Sequence, residues 1–168
     1  MGILCEVVAA APPSANTLST FHDFAPWLAS QTQRHRLDTW GMFLHYLLTG
    51  SDRGGSPPLS FLYERGWGKV APGVDGMDWS YDAPMVYSAE KTAEIASAFR
   101  WIGRDKARMK ERCDIERMSR RQIYPFIDWT AEQASPRLFE DALEALDALR
   151  SFVTEAASRS DVLVVHYY

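Results

Sequence analysis

The residues 161–168, "DVLVVHYY", constrain the fold most, because as a strand they are apolar on both faces until His166. A strand with one exposed face alternates apolar and polar side chains, whereas a strand covered on both faces is apolar throughout. This segment therefore predicts a buried strand. Residues 3–10, "ILCEVVAA", are also strand-like and are followed by prolines. We predict a sheet that includes both segments.

Helical periodicity predicts the layer that covers this sheet. Residues 36–49 place six large apolar side chains on one broad face of a helix that stops at Gly50: Leu37, Trp40, Phe43, Leu44, Leu47 and Leu48. A second helix begins at Ser88, and the longest follows Ser135. Shorter charged helices are predicted at 104–113 and 114–121. Residues 123–129 are predicted to be extended, because Pro125 disfavours helix at the residue before it.

Length and composition favour a single globular domain. The chain has 168 residues, of which 46% are hydrophobic and 24% are charged. That length suits one compact domain and is short for two ordinary ones. We therefore predict one α+β domain over residues 1–168, with several helices packed on a small sheet that includes the N- and C-terminal strands.

Charge and hydropathy limit the partners and the location that we expect. The formal net charge of −4 predicts no nucleic-acid binding and no attraction to an anionic membrane surface. The apolar residues 1–15 lack a basic leading segment and contain Glu6, which is unlike a signal peptide. Cys5 and Cys113 lie far apart in sequence, which is typical of free thiols in a reducing compartment. We expect a cytoplasmic protein.

His45 is the first candidate for chemistry, because it interrupts the apolar helix "TWGMFLHYLLTG" at 39–50. Gly41 lies one turn before it and leaves bare backbone beside the imidazole. Either another segment packs closely there or a small cavity opens. The imidazole then either forms a structural hydrogen bond at the edge of the core or serves as an acid/base group in a pocket.

Residues 51–87 contain six of the ten glycines and six aromatic residues. A long loop inside a compact domain is often functional, and its aromatic rings favour order over disorder. A pocket under this loop would be lined by Trp67, Trp79, Tyr81 and Tyr124. The acidic residues of the loop and the four histidines lack the spacing of metal ligands, so we expect no metal and no cofactor.

The segment 100–121 has nine basic and four acidic residues, a local excess of positive charge. Trp101 lies opposite the inward stripe of its helix, so it either packs against another segment or is exposed to a partner. We predict an interaction surface made of Trp101, Arg104 and Arg108. The alternative is a solvated helix face held by local ion pairs.

Several stretches together resemble the YfbM-like family of bacterial proteins of unknown function: "WGMFLHYLLTG" at 40–50, "PLS" at 58–60, "VYSAEKTAEIASAF" at 86–99, "IYP" at 123–125 and "LVVHYY" at 163–168. The resemblance implies one α+β domain in a bacterial cytoplasm, and it implies no reaction, ligand or catalytic residue. Residues 61–82 are richer in glycine and aromatic residues than the family pattern. "CDIERM" at 113–118 stands where the family has a more proline-containing turn.

Two functions of different classes follow from these patterns. The first is a binding or protein-interaction module, a monomer or weak homodimer, with an unidentified protein or small molecule as its partner. The alternative is a small-molecule hydrolase or transferase that uses His45 as its acid/base group. Whether the protein is an enzyme stays open at this point, since no catalytic motif is present.

Overall fold

A computed structural model describes residues 3–14, 17, 19–63, 66–71 and 83–168, with the side chains of residues 103 and 104 left aside. The strands are β1 Cys5–Ala10, β2 Arg34–Asp38, β3 Lys69–Val70, β4 Met85–Tyr87 and β5 Val162–Tyr167. The helices are α1 Phe21–Ser30, α2 Gly41–Thr49, α3 Ala89–Phe99, α4 Lys106–Arg112, α5 Ile115–Arg120 and α6 Leu138–Ser158. Short 3₁₀ turns occupy Ile102–Asp105 and Ala131–Gln133.

The five strands form one sheet in the order β2-β1-β5-β4-β3, and all neighbours are antiparallel. β1 pairs with β5 along six residues, from Cys5 opposite Tyr167 to Ala10 opposite Val162. β5 is therefore central and has a paired strand on each side. The predicted α+β fold and the predicted sheet with a strand from each end of the chain are confirmed.

The alternation along the strands separates the two faces of this sheet. Cys5, Val7 and Ala9 of β1 point to the inner face, where the main core also contains buried residues of α2, α3 and α6. Val8 points to the outer face, where it meets Phe24 and Leu28 of α1. The inner face therefore carries the large core, and the outer face carries a smaller apolar cluster beneath a single short helix.

The predicted helix at 36–49 begins later than the sequence suggested. Residues 34–38 form strand β2 on the edge of β1, and the backbone turns at Asp38, where φ is 47°. Only Gly41–Thr49 is helical. Strand pairing with β1 outweighs the helical periodicity here, and Leu37 still reaches the inner core because alternate residues of a strand share a face.

The segment 123–129 also differs from the extended conformation that Pro125 predicted. It folds into successive turns, in which Phe126 N donates to Ile123 O at 2.8 Å and Trp129 N donates to Phe126 O at 3.2 Å. These turns bury Phe126 in the main core. The prediction failed because the apolar residues of this segment gain more by packing inward than an extended chain would allow.

The two longer predicted helices are present. Ser88 caps α3, because its hydroxyl accepts a hydrogen bond from Lys91 N at 3.3 Å. In α6 the buried side chains include Ala142, Leu146, Leu149 and Val153, which recur at helical spacing. None of the helices that the structure describes is both long and apolar enough to span a membrane.

Leu44→Ala tests the inner core directly, since Leu44 is wholly buried. We expect the free energy of unfolding to fall by about 2–5 kcal/mol, the range found when a large core side chain is truncated. Urea melts measure this loss, and Thr49→Ala at the end of the same helix serves as a half-buried comparison. A loss below about 1 kcal/mol would show that α2 is not packed as described.

Candidate functional site

Gly41 lies where α2 meets the sheet. A Cβ atom at this position would lie 2.4 Å from Cys5 Cβ and 2.7 Å from Cys5 Sγ. Atoms cannot approach so closely, so only glycine lets α2 reach β1 at this point. Of the two alternatives for the bare backbone beside His45, the structure shows close packing by another segment.

His45 is wholly buried. Its ring packs edge-on to Tyr63, with 5.9 Å between the centroids, and Tyr63 packs edge-on to Tyr167 of β5 at 5.4 Å. The hydroxyl of Tyr167 donates to Leu62 O at 3.0 Å, which fastens this part of the loop to the sheet. His45 therefore faces the loop at Tyr63, and it is enclosed by packed side chains.

Trp67 and Tyr124, two of the four aromatic residues predicted for a pocket, lie in different surroundings. Trp67 packs against Tyr87 of β4, with 5.5 Å between the ring centroids, and Lys91 Nζ lies 5.3 Å from its ring. The hydroxyl of Tyr124 accepts a hydrogen bond from Ile3 N at 3.1 Å. Tyr124 also borders a cavity of about 300 Å³ that His45 does not line. Trp79 and Tyr81 lie outside the described residues.

The basic segment divides into surface residues and residues that bind backbone. Trp101 is exposed over 54% of its surface, and Arg108 is exposed as well. Arg112 and Arg121 instead donate to the end of α2, at Leu47 O over 2.5 Å and at Gly50 O over 3.2 Å. Carbonyl groups at a helix end have no partner within the helix, so these two cations stabilise α2. The side chain of Arg104 lies outside the described part of the chain.

The outer face of the sheet carries a polar cluster that the sequence analysis did not identify. In the register of the sheet, Glu6 of β1 lies opposite Arg36 of β2 and opposite His166 of β5. These side chains, with Arg34 and Tyr168, border a cavity of about 530 Å³. Its other side is the apolar surface of α1, formed by Ala25, Leu28 and Ala29. We call this the outer-face cavity.

The carboxylate of Glu6 is the centre of this cluster, and only 3% of the residue is exposed. Glu6 Oε2 accepts a hydrogen bond from Arg34 Nη1, and Glu6 Oε1 lies 3.7 Å from Arg36 Nε. A buried carboxylate is costly unless it is paired, and Arg34 supplies that pair. Arg36 has the looser contact, and 71% of its side chain is exposed.

Arg34 also connects the cluster to α1. Its Nε donates to Gln31 O at 2.7 Å, and its Nη2 donates to Leu28 O. Both acceptors lie at the C-terminal end of α1, where backbone carbonyls need partners. One guanidinium therefore holds the helical wall of the outer-face cavity against its polar floor.

The electrostatics of the cavity favour a negative ligand. Burial lowers the pKa of His166 from its ordinary value, and the nearby positive charge of Arg34 lowers it further. The negative charge of Glu6 acts in the opposite direction. The lowered pKa favours the neutral imidazole of His166. The charged side chains that border the cavity are two arginines and one glutamate, and Arg36 is the more exposed cation, at 71% against 25% for Arg34.

Glu6 and His166 left a weak signal in the sequence, since each interrupts an apolar strand. Nothing in the sequence placed them side by side, because only the register of β1 against β5 does so. Arg34 and Arg36 were missed for another reason. Both lie in strand β2, but the sequence had placed Arg36 in the predicted helix 36–49 and Arg34 in no predicted element.

Both the sequence and the fold of this chain resemble those of known proteins. The sequence profile of a domain of unknown function, DUF1877, matches residues 14–166. The chain belongs to this family. It is similar in fold to YfbM from Escherichia coli, whose crystal structure is that of a protein of unknown function. The TM-score is 0.74 at 18% identity, over 98% of this chain and 99% of that one.

The family membership confirms the resemblance to YfbM-like proteins that the sequence motifs indicated. The similarity to the structure of YfbM is a similarity of fold. A search of curated proteins finds no match. Within the part of the chain that the structure describes, no group of three or more histidine, cysteine, aspartate or glutamate residues is placed to hold a metal ion. The outer-face cavity therefore has to be interpreted from its own chemistry.

The thiol of Cys5 offers a test of the packing around Gly41. Burial raises the pKa of Cys5 to about 12, while a hydrogen bond with Tyr167 acts in the opposite direction. Because the folded pKa lies above the ordinary value, the native state holds the thiol proton more tightly than the unfolded chain. The stabilisation is complete below the ordinary thiol pKa and is lost as the pH rises toward 12.

We expect Cys5→Ala to make the alkaline loss of stability less steep than in the wild type. The difference should be about 1.4 kcal/mol per pH unit between about pH 9 and about pH 11. Urea melts across that interval measure it. Val7→Ala on the same face of β1 is the control, because it removes core volume without removing a titrating group. Equal pH slopes for Cys5→Ala and the wild type would contradict the described burial.

Proposed function

We propose that this protein is a small-molecule binding module whose ligand is an organic anion held in the outer-face cavity. The observation that carries this proposal is the buried Glu6–Arg34 pair with Arg36 beside it, at the floor of a cavity of about 530 Å³. Cavities of that size are typical of small-molecule sites. An apolar wall with a few convergent polar groups is typical of them as well.

Arg36 is the residue proposed to bind the anionic group. Each of the three guanidinium nitrogens of Arg34 already donates a hydrogen bond within the protein, to Glu6, Gln31 and Leu28. Arg34 is therefore engaged in structural contacts. The Arg36 side chain is mostly exposed and is held near Glu6 only by the 3.7 Å contact. A guanidinium with free N–H groups binds carboxylate or phosphate oxygens in pairs, which gives both affinity and orientation.

The wall of α1 defines the rest of the ligand. Ala25 and Ala29 are small, and Leu28 presents its backbone carbonyl to Arg34 and its side chain to the apolar cluster. Short side chains at this wall leave room for an apolar group beside the anion. The ligand class that fits is a small organic acid or organic phosphate with an apolar part, rather than an inorganic ion.

Two predictions from the sequence receive less support from the geometry. A reaction at His45 would require the loop around Tyr63 to separate from α2, because the imidazole is wholly buried. The interaction surface predicted from Trp101, Arg104 and Arg108 would suit an acidic protein, and the exposure of Trp101 favours it. Both stay predictions beside the outer-face cavity.

Calorimetric titration with butyrate, benzoate, phenyl phosphate and inorganic phosphate tests the proposal. We expect the organic anions to bind more tightly than inorganic phosphate. Arg36→Gln should weaken binding at least about tenfold, which corresponds to about 1.4 kcal/mol, without a large change in stability. Arg150→Gln is the matched control, because Arg150 is an exposed arginine paired with Asp147 on α6.

Three outcomes would overturn the proposal. The first is that none of the four probes binds to the wild-type protein. The second is that Arg36→Gln binds the organic anions as tightly as the wild type does. The third is that Arg36→Gln and Arg150→Gln weaken binding equally, which would indicate attraction to the overall charge rather than to a defined site.

A further inference from the structure

A further cavity, of about 290 Å³, lies between the start of α2, the turns at 125–129 and the start of α6. We propose that it binds a quaternary or methylated ammonium group. Its lining includes four aromatic rings and one carboxylate: Trp40, Phe43, Phe126, Trp129 and Asp141. We call it the aromatic cavity. The proposal goes beyond the anion site, since it concerns another cavity and a ligand of opposite charge.

The four rings form a connected set with differently oriented planes. The centroids of Trp40 and Phe43 are 5.6 Å apart with an interplanar angle of 40°. Phe43 and Phe126 follow at 4.8 Å and 81°, and Phe126 and Trp129 at 5.2 Å and 88°. Because consecutive planes are nearly perpendicular in two of the three pairs, the rings present differently oriented faces and edges along the wall of the cavity.

The depth of the four rings suits a site that is closed below and open above. Phe43 and Phe126 are buried, so they form the floor. Trp40 and Trp129 are half-buried, so parts of both indoles remain accessible from the cavity. A ligand that enters between the tryptophans therefore contacts mainly the two indoles, because Phe43 has no exposed surface and only 3% of Phe126 is exposed below them.

The charge of the lining selects a cation over an anion. Among the described residues that line the aromatic cavity, Asp141 is the only charged one. Its carboxylate is partly exposed and has only a 3.7 Å contact with Arg137, so it can attract a positive ligand. Aromatic faces carry negative potential and attract cations, most strongly for tryptophan.

The polar groups of the lining narrow the class of cation further. The carbonyl oxygen of the Gln133 side chain already accepts a hydrogen bond from Thr130 N at 2.7 Å, and the Ser135 hydroxyl accepts one from Arg137 N at 3.2 Å. Thr39 supplies the other hydroxyl of the lining. A primary ammonium or a metal ion needs several oxygen acceptors to replace its water, whereas a quaternary ammonium donates no hydrogen bond. Aromatic surroundings with one carboxylate at the edge therefore suit an alkylated ammonium best.

Titration with choline, tetramethylammonium and the neutral tert-butyl analogue of choline tests this inference. The analogue has the shape of choline without its charge, so the comparison isolates the attraction of the rings for a cation. We expect saturable calorimetric binding of choline and at least tenfold weaker binding of the neutral analogue. Arg36→Gln should leave choline binding unchanged, because Arg36 borders the other cavity.

Variants locate the binding. Trp129→Leu should weaken choline binding at least tenfold, and Trp129→Phe, which keeps a ring, should weaken it less. Asp141→Asn should weaken it severalfold and leave the fold intact, since the Asp141 side chain is 40% exposed. Trp101→Leu is the matched control, because Trp101 is an exposed tryptophan that does not line the cavity.

The inference is wrong if the neutral analogue binds as tightly as choline, because the site would then be only apolar. It is also wrong if none of the three probes binds. Choline binding that survives Trp129→Leu and Asp141→Asn unchanged would place the cation elsewhere and likewise overturn it. Thermal melts of each variant confirm that a loss of binding is measured on folded protein.

Discussion

The pairing of β1 with β2 on one side and β5 on the other is the constraint on which the rest of the structure depends. Alternate residues of β1 point to opposite faces of the sheet, so a single strand register determines the contacts on both faces. Cys5 faces α2 across Gly41, and Glu6 faces Arg34 and Arg36 on the other side. A slip of one residue would exchange these environments, placing a carboxylate in the main core.

That register makes a buried charge part of the architecture of the outer face. Glu6 is compensated by Arg34, and the same guanidinium binds the last carbonyls of α1. Such a pair contributes little net stability compared with apolar packing, but it fixes the geometry of its surroundings. Here it fastens a short helix to a sheet face whose apolar cluster is small, and it leaves Arg36 open to solvent.

The two candidate sites lie at opposite faces of the sheet and are joined by one short segment. Arg36 is in β2 at the outer face, and Trp40 follows four residues later at the start of α2. The helix that carries His45 is packed on both of these sides. Cys5 lies directly against Gly41, and the imidazole packs against the ring of Tyr63. The most conspicuous polar residue of the sequence thus lies inside the protein, while less conspicuous ones border the cavities.

The sequence by itself determined the class of the fold, because the pattern of apolar residues predicts strands and helices with buried faces. β5, α3 and the inward stripe of α6 follow from that pattern alone. The tertiary structure decided whether 34–38 is strand or helix and how 123–129 turns, since those outcomes depend on neighbours distant in sequence. It also determined which residues line the outer-face cavity and the aromatic cavity. Glu6 meets His166, and Phe43 meets Phe126, only through contacts between distant segments, which local periodicity does not encode.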